Sequence, residues 1–367
     1  MSDSNLHRLS ALGQSVWIDS LSRDMLRSGE LARLMAEDAV TGVTSNPTIF
    51  QKALAQGDAY DEQLRDLIGE ADDPGEIFVT LAARDVGDAC DLLRPAWDGG
   101  AGLRGYVSIE VDPGLAYDTE GTHDEALRLH RLLDRPNLYV KIPGTKAGLP
   151  AIEDMIAAGR SINVTLIFSL ERHREVMEAY LRGLERLVAA GGDPAGVASV
   201  ASFFVSRVDT EADRRLDELG RPDLAGRLAV ANARLAYRNW QEVFAGERWE
   251  FLASKGASKQ WCLWASTSTK NPAYPDTLYV DSLIGPETVN TMPEETVRAF
   301  QDHGTVARTI DDGVEEATRL FDELADAGVD VADVTETLEA EGVQKFADSF
   351  EQLLDGIRAK RGELVSA

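Results

Sequence analysis

The sequence predicts an α/β protein built as a single closed (β/α)8 (TIM) barrel, with extra helices before the third strand and at the C-terminus. Three observations lead there. Eight strand-like segments alternate with helical ones, the pattern that gives a parallel sheet covered by helices. Seven polar residues (Asp19, Asn46, Glu110, Lys141, Asn163, Thr165 and Ser202) share one face of successive strands, with mostly Val, Ile and Leu opposite. The 367 residues and 44% hydrophobic content exceed what such a barrel needs, typically about 250 residues with room for insertions.

The strands are expected at 15–19, 41–45, 105–111, 138–143, 161–168, 198–205, 260–266 and 277–283. Strand side chains alternate between faces. In Val16-Trp17-Ile18-Asp19, Trp17 and Asp19 therefore point one way and Val16 and Ile18 the other. Ser108 and Glu110 oppose Val107, Ile109 and Val111; Lys141 opposes Val140 and Ile142; Asn163 and Thr165 oppose Ile162, Val164 and Leu166. One such strand alone would read as half exposed, apolar in and polar out. With helices between all of them, the apolar faces meet helices and the polar residues fill the barrel interior.

Helical spacing is read at 22–38, where Leu21, Met25, Leu31, Leu34 and Met35 recur, and at 122–134, 148–158, 170–190, 208–219 and 223–246. Residues 47–97 hold up to three helices, broken near Gly57-Asp58 and at Asp73-Pro74-Gly75, the latter a helix start. Gly191-Gly192-Asp193-Pro194 is a stop. The C-terminal part reads as helices at 293–302, 311–327, 330–341 and 342–360, with Asp330 and Thr335 as caps. One domain over 1–367 is expected, the barrel at about 15–285 and the C-terminal helices at about 286–367. Whether those helices close the bottom of the barrel or its mouth stays open.

A net charge of −26 argues against nucleic acid and anionic membrane as partners. It is the charge of a well-solvated acidic surface. Cys90 and Cys262 make no disulfide framework and no metal-ligand spacing, which points to a reducing compartment. The polar N-terminus lacks an apolar leader core, and no apolar run reaches membrane-span length. A cytoplasmic protein is expected. The five histidines are scattered and read as surface residues.

Active sites of such barrels lie at the C-terminal strand ends, where Asp19, Asn46, Glu110 and Lys141 all fall. A lysine among few waters loses its preference for the ammonium form, and a neutral amine attacks carbonyls to give imines. The protonated imine draws electrons from a carbon–carbon bond two atoms away. Carboxylates such as Asp19 and Glu110 then serve as acid and base, and Asn46, Asn163 and Thr165 can hold hydroxyls or a water. The plain alternative is a structural ion pair of Lys141 with Glu110 or Asp19, but buried pairs stabilise weakly and are costly to desolvate. Asn46 before Pro47 fits an N-cap equally well. Lys146 competes with Lys141 but lies past Pro143-Gly144, in loop sequence. The strand pattern alone gives a Schiff-base lyase or transferase acting on a polyol.

Five segments carry a more specific likeness: Gly42–Pro47 (GVTSNP), Ser108–Asp112 (SIEVD), Val140–Pro143 (VKIP), Ile162–Ser169 (INVTLIFS) and Ser202–Arg207 (SFFVSR). In this order, from residue 15 to about 285, the chain resembles the transaldolases, of the longer type found in actinobacteria. The resemblance implies Lys141 as the Schiff-base lysine and Asp19 as acid/base at the C4 hydroxyl of the donor. It implies Glu110 and Thr165 around the catalytic water, Asn46 and Asn163 on the dihydroxyacetone part, and Phe204 beside the imine. Ser202 and Arg207 match the phosphate site. The family's Ala-Ser-Phe-Arg at the seventh strand is here Ala265-Ser266-Thr267-Ser268-Thr269-Lys270, so Lys270 stands in for the arginine without its bidentate fork.

The resemblance thus implies a transferase of the pentose phosphate pathway. It would move dihydroxyacetone from sedoheptulose 7-phosphate to glyceraldehyde 3-phosphate, giving erythrose 4-phosphate and fructose 6-phosphate. It implies sugar phosphates as partners, no metal or organic cofactor, and a monomer or homodimer. The rivals are a fructose-6-phosphate aldolase-like lyase and a sugar-phosphate-binding barrel without catalysis. The lyases carry glutamine and tyrosine where Glu110 and Phe204 stand, which favours transfer.

Overall fold

A computed structural model describes residues 4–55, 57–68, 71–100 and 104–366 of the chain. Residues 56, 69 and 70, inside the stretch expected to hold up to three helices, lie outside the described residues.

The strands close into one parallel barrel in sequence order, β1 returning to β8. They are β1 (Gln14–Ile18), β2 (Val40–Val43), β3 (Tyr106–Glu110), β4 (Leu138–Pro143), β5 (Ile162–Ile167), β6 (Ser199–Phe204), β7 (Trp261–Ala265) and β8 (Thr288–Met292). The first seven fall where alternation places them. The eighth does not. Residues 277–283 hold a short helix, Leu278–Asp281, and the closing strand follows Gly285-Pro286. Its β-rich Leu-Tyr-Val reads locally as a strand. Tertiary contacts decide otherwise, because Tyr279 turns inward to donate its hydroxyl to Asp209 at 2.9 Å. The true strand, Thr288-Val289-Asn290-Thr291-Met292, is fully buried yet polar, and so lacks a strand's usual hydrophobic signature. The barrel thus closes at residue 292, not 285.

Inward side chains stack in layers. At the base Trp17, Tyr106 and Tyr139 pack ring on ring, with centroids 6.1 and 4.0 Å apart. Gly42 faces the Trp17 ring so closely that a Cβ there would sit 2.4 Å from it. No larger residue fits. Above this aromatic floor comes the polar layer. Register sets it: Glu110 lies beside Lys141 across β3–β4, and Lys141 beside Asn163 across β4–β5. Near its end β5 shifts register and Leu166 takes a left-handed φ of +59°. That conformation is costly for a non-glycine residue and is found where the surrounding structure enforces it.

The expected helix at 22–38 is two, Arg23–Arg27 and Glu30–Glu37, parted by Gly29 at φ +79°. A further helix, Asn5–Ala11, precedes β1. The insertion before β3 ends in a 26-residue helix, Pro74–Gly99, capped by the Asp73 carboxylate on the Gly75 and Glu76 amides. It is tied to the helix Arg23–Arg27 after β1 by a buried pair. Arg23 Nε meets Asp85 at 2.8 Å, and the Tyr60 hydroxyl donates to the second Asp85 oxygen at 2.8 Å. Asp85→Ala would strand the Arg23 guanidinium without its counter-charge, an expected loss of about 3 kcal/mol. Urea unfolding checks this, and a loss below about 1 kcal/mol, as for a surface pair, would show that Arg23 escapes to water.

The C-terminal helices at 330–341 and 342–360 are in fact one helix, Val331–Ser366. Asp330 caps it through the Ala332 and Asp333 amides, whereas Thr335 is no cap: it sits inside the helix and donates to Ala332 O at 3.0 Å. At the expected boundary, Gly342 serves close approach, since a Cβ there would lie 3.1 Å from the Leu166 side chain. The helix thereby crosses the mouth of the barrel rather than its base. The Thr48 hydroxyl meets Ser349 at 2.8 Å, and Phe350 packs edge-on against Phe78.

Candidate active site

Lys141 lies at the centre of the mouth, 4% exposed. Its Nζ is 3.3 Å from Glu110 Oε2 and 3.4 Å from the Ser45 carbonyl. Both contacts follow from neighbouring positions on β3 and β4 and from the turn after β2. Lys146 is exposed on its loop.

Glu110 is buried, and burial is the main cause that raises its pKa. Lys141 pulls it down and the charge of Asp19 adds to the rise. Its second oxygen, Oε1, has no hydrogen-bond partner. The Thr165 hydroxyl on β5 is likewise buried and unpartnered. Two such orphans are costly unless a ligand or water satisfies them.

Asp19 follows β1 and is half-buried. Thr44 donates to it at 2.7 Å, and Thr44 in turn meets Thr291 on β8 at 2.6 Å. Burial raises the Asp19 pKa; the Thr44 hydrogen bond and the charges of Lys141, Arg207 and Lys270 oppose the rise. Asp19 therefore lies within the field of all three cations.

Asn163 is fully buried, and both of its polar ends are engaged. It donates to Ser108 at 3.1 Å and accepts from Ser202 at 2.7 Å, so three strands fix its orientation. Asn46 accepts the Ile49 amide at 3.0 Å, capping the helix Pro47–Ala55, and leaves its amide nitrogen free for a ligand. The N-cap and ligand readings of this residue are thus compatible.

At the far side of the mouth the Arg207 guanidinium lies 5.0 Å from the Phe204 ring centroid, and that ring leans on Phe168. Arg207 has no carboxylate partner among the described residues. Burial disfavours its charge, while Asp19 and Glu341 support it. Lys270 sits nearer solvent and donates to the Ser268 hydroxyl at 2.5 Å. Burial lowers its pKa first, and the nearby Arg207 and Lys345 lower it further. Two cations without a paired carboxylate, in a chain of charge −26, suit an anion.

Sequence reading missed Thr44, which orients Asp19, and Phe346, whose ring centroid lies 5.6 Å from Lys141 Nζ. Thr44 stood within the GVTSNP segment. Phe346 carried no local signal, because only the path of the C-terminal helix brings it to the lysine. Among the described residues no group of three or more His, Cys, Asp and Glu could hold a metal, and no helix is long and apolar enough to cross a membrane.

Comparison with known proteins gives a consistent result. The model of the family "Transaldolase/Fructose-6-phosphate aldolase" matches residues 16–357. A transaldolase of Parafrankia sp. (strain EAN1pec) is 55% identical over 365 residues, covering 98% of this chain and 99% of that protein. One from Frankia alni is 54% identical over 361 residues, 97% of each. One from Mycobacterium tuberculosis is 52% identical over 360 residues, 97% of this chain and 96% of that one.

Proposed function

The chain belongs to the transaldolase/fructose-6-phosphate aldolase family, and on that premise we propose that it works as a transaldolase through an imine on Lys141. The observation that carries this reading is the bracketing of one buried amine by two carboxylates of raised pKa, Glu110 and Asp19.

The Lys141 nitrogen adds to the C2 carbonyl of the donor ketose, and the carbonyl oxygen takes a proton. Glu110 gives a proton to the carbinolamine hydroxyl, which leaves as water, and an iminium results. Asp19 removes the proton of the C4 hydroxyl. The C3–C4 bond breaks, its electrons move to the iminium nitrogen, and the aldose leaves. The remaining enamine adds to the aldehyde of an acceptor, and Asp19 returns its proton to the new hydroxyl. Water, activated by Glu110 beside Thr165, then releases the ketose. Asn46 and Asn163 hold the hydroxyls of the three-carbon unit, and Phe204 flanks the imine.

Ser202, Arg207 and Lys270 form the phosphate end of the site. The donor is sedoheptulose 7-phosphate and the acceptor glyceraldehyde 3-phosphate, which gives erythrose 4-phosphate and fructose 6-phosphate. Retention of the three-carbon unit until an aldose arrives distinguishes transfer from lyase chemistry, and Glu110 and Phe204 support transfer. The protein is taken as one domain acting in the cytoplasm, a placement supported by two buried, free cysteines.

Incubation with fructose 6-phosphate, borohydride reduction and peptide mass spectrometry test the mechanism. A three-carbon adduct on Lys141 is expected; an adduct elsewhere, or none on the folded protein, counts against it. Arg207→Ala is expected to raise KM for phosphorylated sugars about tenfold or more, since a hydrogen bond to a charged group is lost. KM for unphosphorylated analogues should move little. An equal change for both would remove Arg207 from the phosphate end.

A further inference from the structure

One cavity adjoins the mouth without opening onto Lys141. It has a volume of about 180 Å³ and is lined by Asn46 and Glu110 at its inner end and by Asp73 and Glu76 at its outer end. Glu110 is 8% exposed, while Asp73 and Glu76 stand at the surface, so the cavity's lining runs from a buried residue of the site to solvent-exposed ones. Its walls include Val79 on the helix Pro74–Gly99 and Leu115 on the short 3-10 helix Pro113–Leu115 after β3.

The chemistry proposed above demands such a path. Each ketose bound releases one water at the carbinolamine stage, and each ketose freed consumes one. Both events occur at Glu110, whose Oε1 has no protein partner. The mouth is then occupied by the sugar itself and roofed by Phe346 over the lysine.

The lining selects what can pass. Asp73, Glu76, Asp112 and Glu125 all line the cavity, and its one cation, Arg128, is already held by Glu125 at 2.7 Å and Glu76 at 3.2 Å. Sugar phosphates, which are dianions, are repelled there and drawn instead to Arg207 and Lys270. Water is indifferent to the charge.

Resting on the imine reading, we infer that this cavity is the water and proton route of Glu110, separate from the entrance of the sugar phosphates. In this division the sugar enters and leaves at the Arg207 side. Water and exchangeable protons pass between Val79 and Leu115.

The test blocks the route after folding. Val79→Cys, and separately Leu115→Cys, is folded and then capped with benzyl methanethiosulfonate. The native Cys90 and Cys262 are buried and out of reach. Borohydride quenching at timed intervals reads two steps on the preformed three-carbon adduct after an aldose is added. One is growth to the larger ketose adduct; the other is its loss by hydrolysis. Capping is expected to slow hydrolysis about tenfold, within the range one acid–base contribution spans, and to leave adduct growth unchanged. A reductant that removes the cap should restore the rate. Unchanged hydrolysis in both capped proteins overturns the route, and so does equal slowing of both steps, which would mean a deformed site. Absence of any Lys141 adduct in the parent protein would instead sink the imine reading itself.

Discussion

Lys141→Ala is expected to lower turnover by about a thousandfold or more, because the covalent route depends on one amine. No other amine replaces it. Lys146 is exposed, and Lys270 lies at the rim beside Ser268. The fold should persist. Lys141 contributes two long hydrogen bonds, at 3.3 and 3.4 Å, and the Phe346 ring contact, and the aromatic floor of Trp17, Tyr106 and Tyr139 lies in the layer below. Glu110 would lose the charge that lowers its pKa and would answer by holding its proton more firmly. A coupled assay with sedoheptulose 7-phosphate and glyceraldehyde 3-phosphate reads the loss, and circular dichroism reads the fold. Activity within about tenfold of the parent in a folded variant would show that the imine is not obligatory.

Asp19→Asn is expected to slow carbon–carbon cleavage by a factor of about 100 to 10,000, the usual contribution of a positioned acid–base group. Imine formation should suffer far less, since the proposed mechanism gives the carbinolamine steps to Glu110. Asparagine keeps an oxygen for the Thr44 hydroxyl, so the local structure is retained. The two steps separate under borohydride: the whole-ketose adduct should accumulate where the parent shows the three-carbon one. Comparable slowing of both steps would deny Asp19 its separate role. The pH profile gives a second reading. Asp19 must be ionised to accept the C4 proton, and burial raises its pKa above the ordinary 3.8. Cleavage in the parent should therefore fall as pH drops through that raised value, and the variant should lose this acid limb.

Both predictions concern residues that the sequence exposed, and the reason is local. Alternation in a strand is a two-residue property, so Glu110, Lys141, Asn163 and Thr165 could be set on one face from their immediate neighbours. The order of the strands then followed from the alternation with helices. Asn46 was legible for both of its possible tasks, and in the structure its oxygen sits on the Ile49 amide with its nitrogen still available.

The remainder depended on contacts distant along the chain. The segment at 277–283 had a strand's composition, yet the hydrogen bond from Tyr279 to Asp209 holds it as a helix, and polar Thr288–Met292 closes the barrel instead. The expected boundary between 341 and 342 vanished because the use of Gly342, clearance for Leu166, involves a residue more than 170 positions away. The same holds for Phe346 above Lys141, for the cavity behind Glu110, and for the choice between mouth and base as the place of the last helix. The sequence by itself determined the barrel and the placing of Lys141, Glu110 and Asp19 at its mouth, because periodicity and motif are written in adjacent residues. Tertiary structure alone decided the closing strand, the roof over the lysine and the path to Glu110, because each exists only where side chains from separate elements meet.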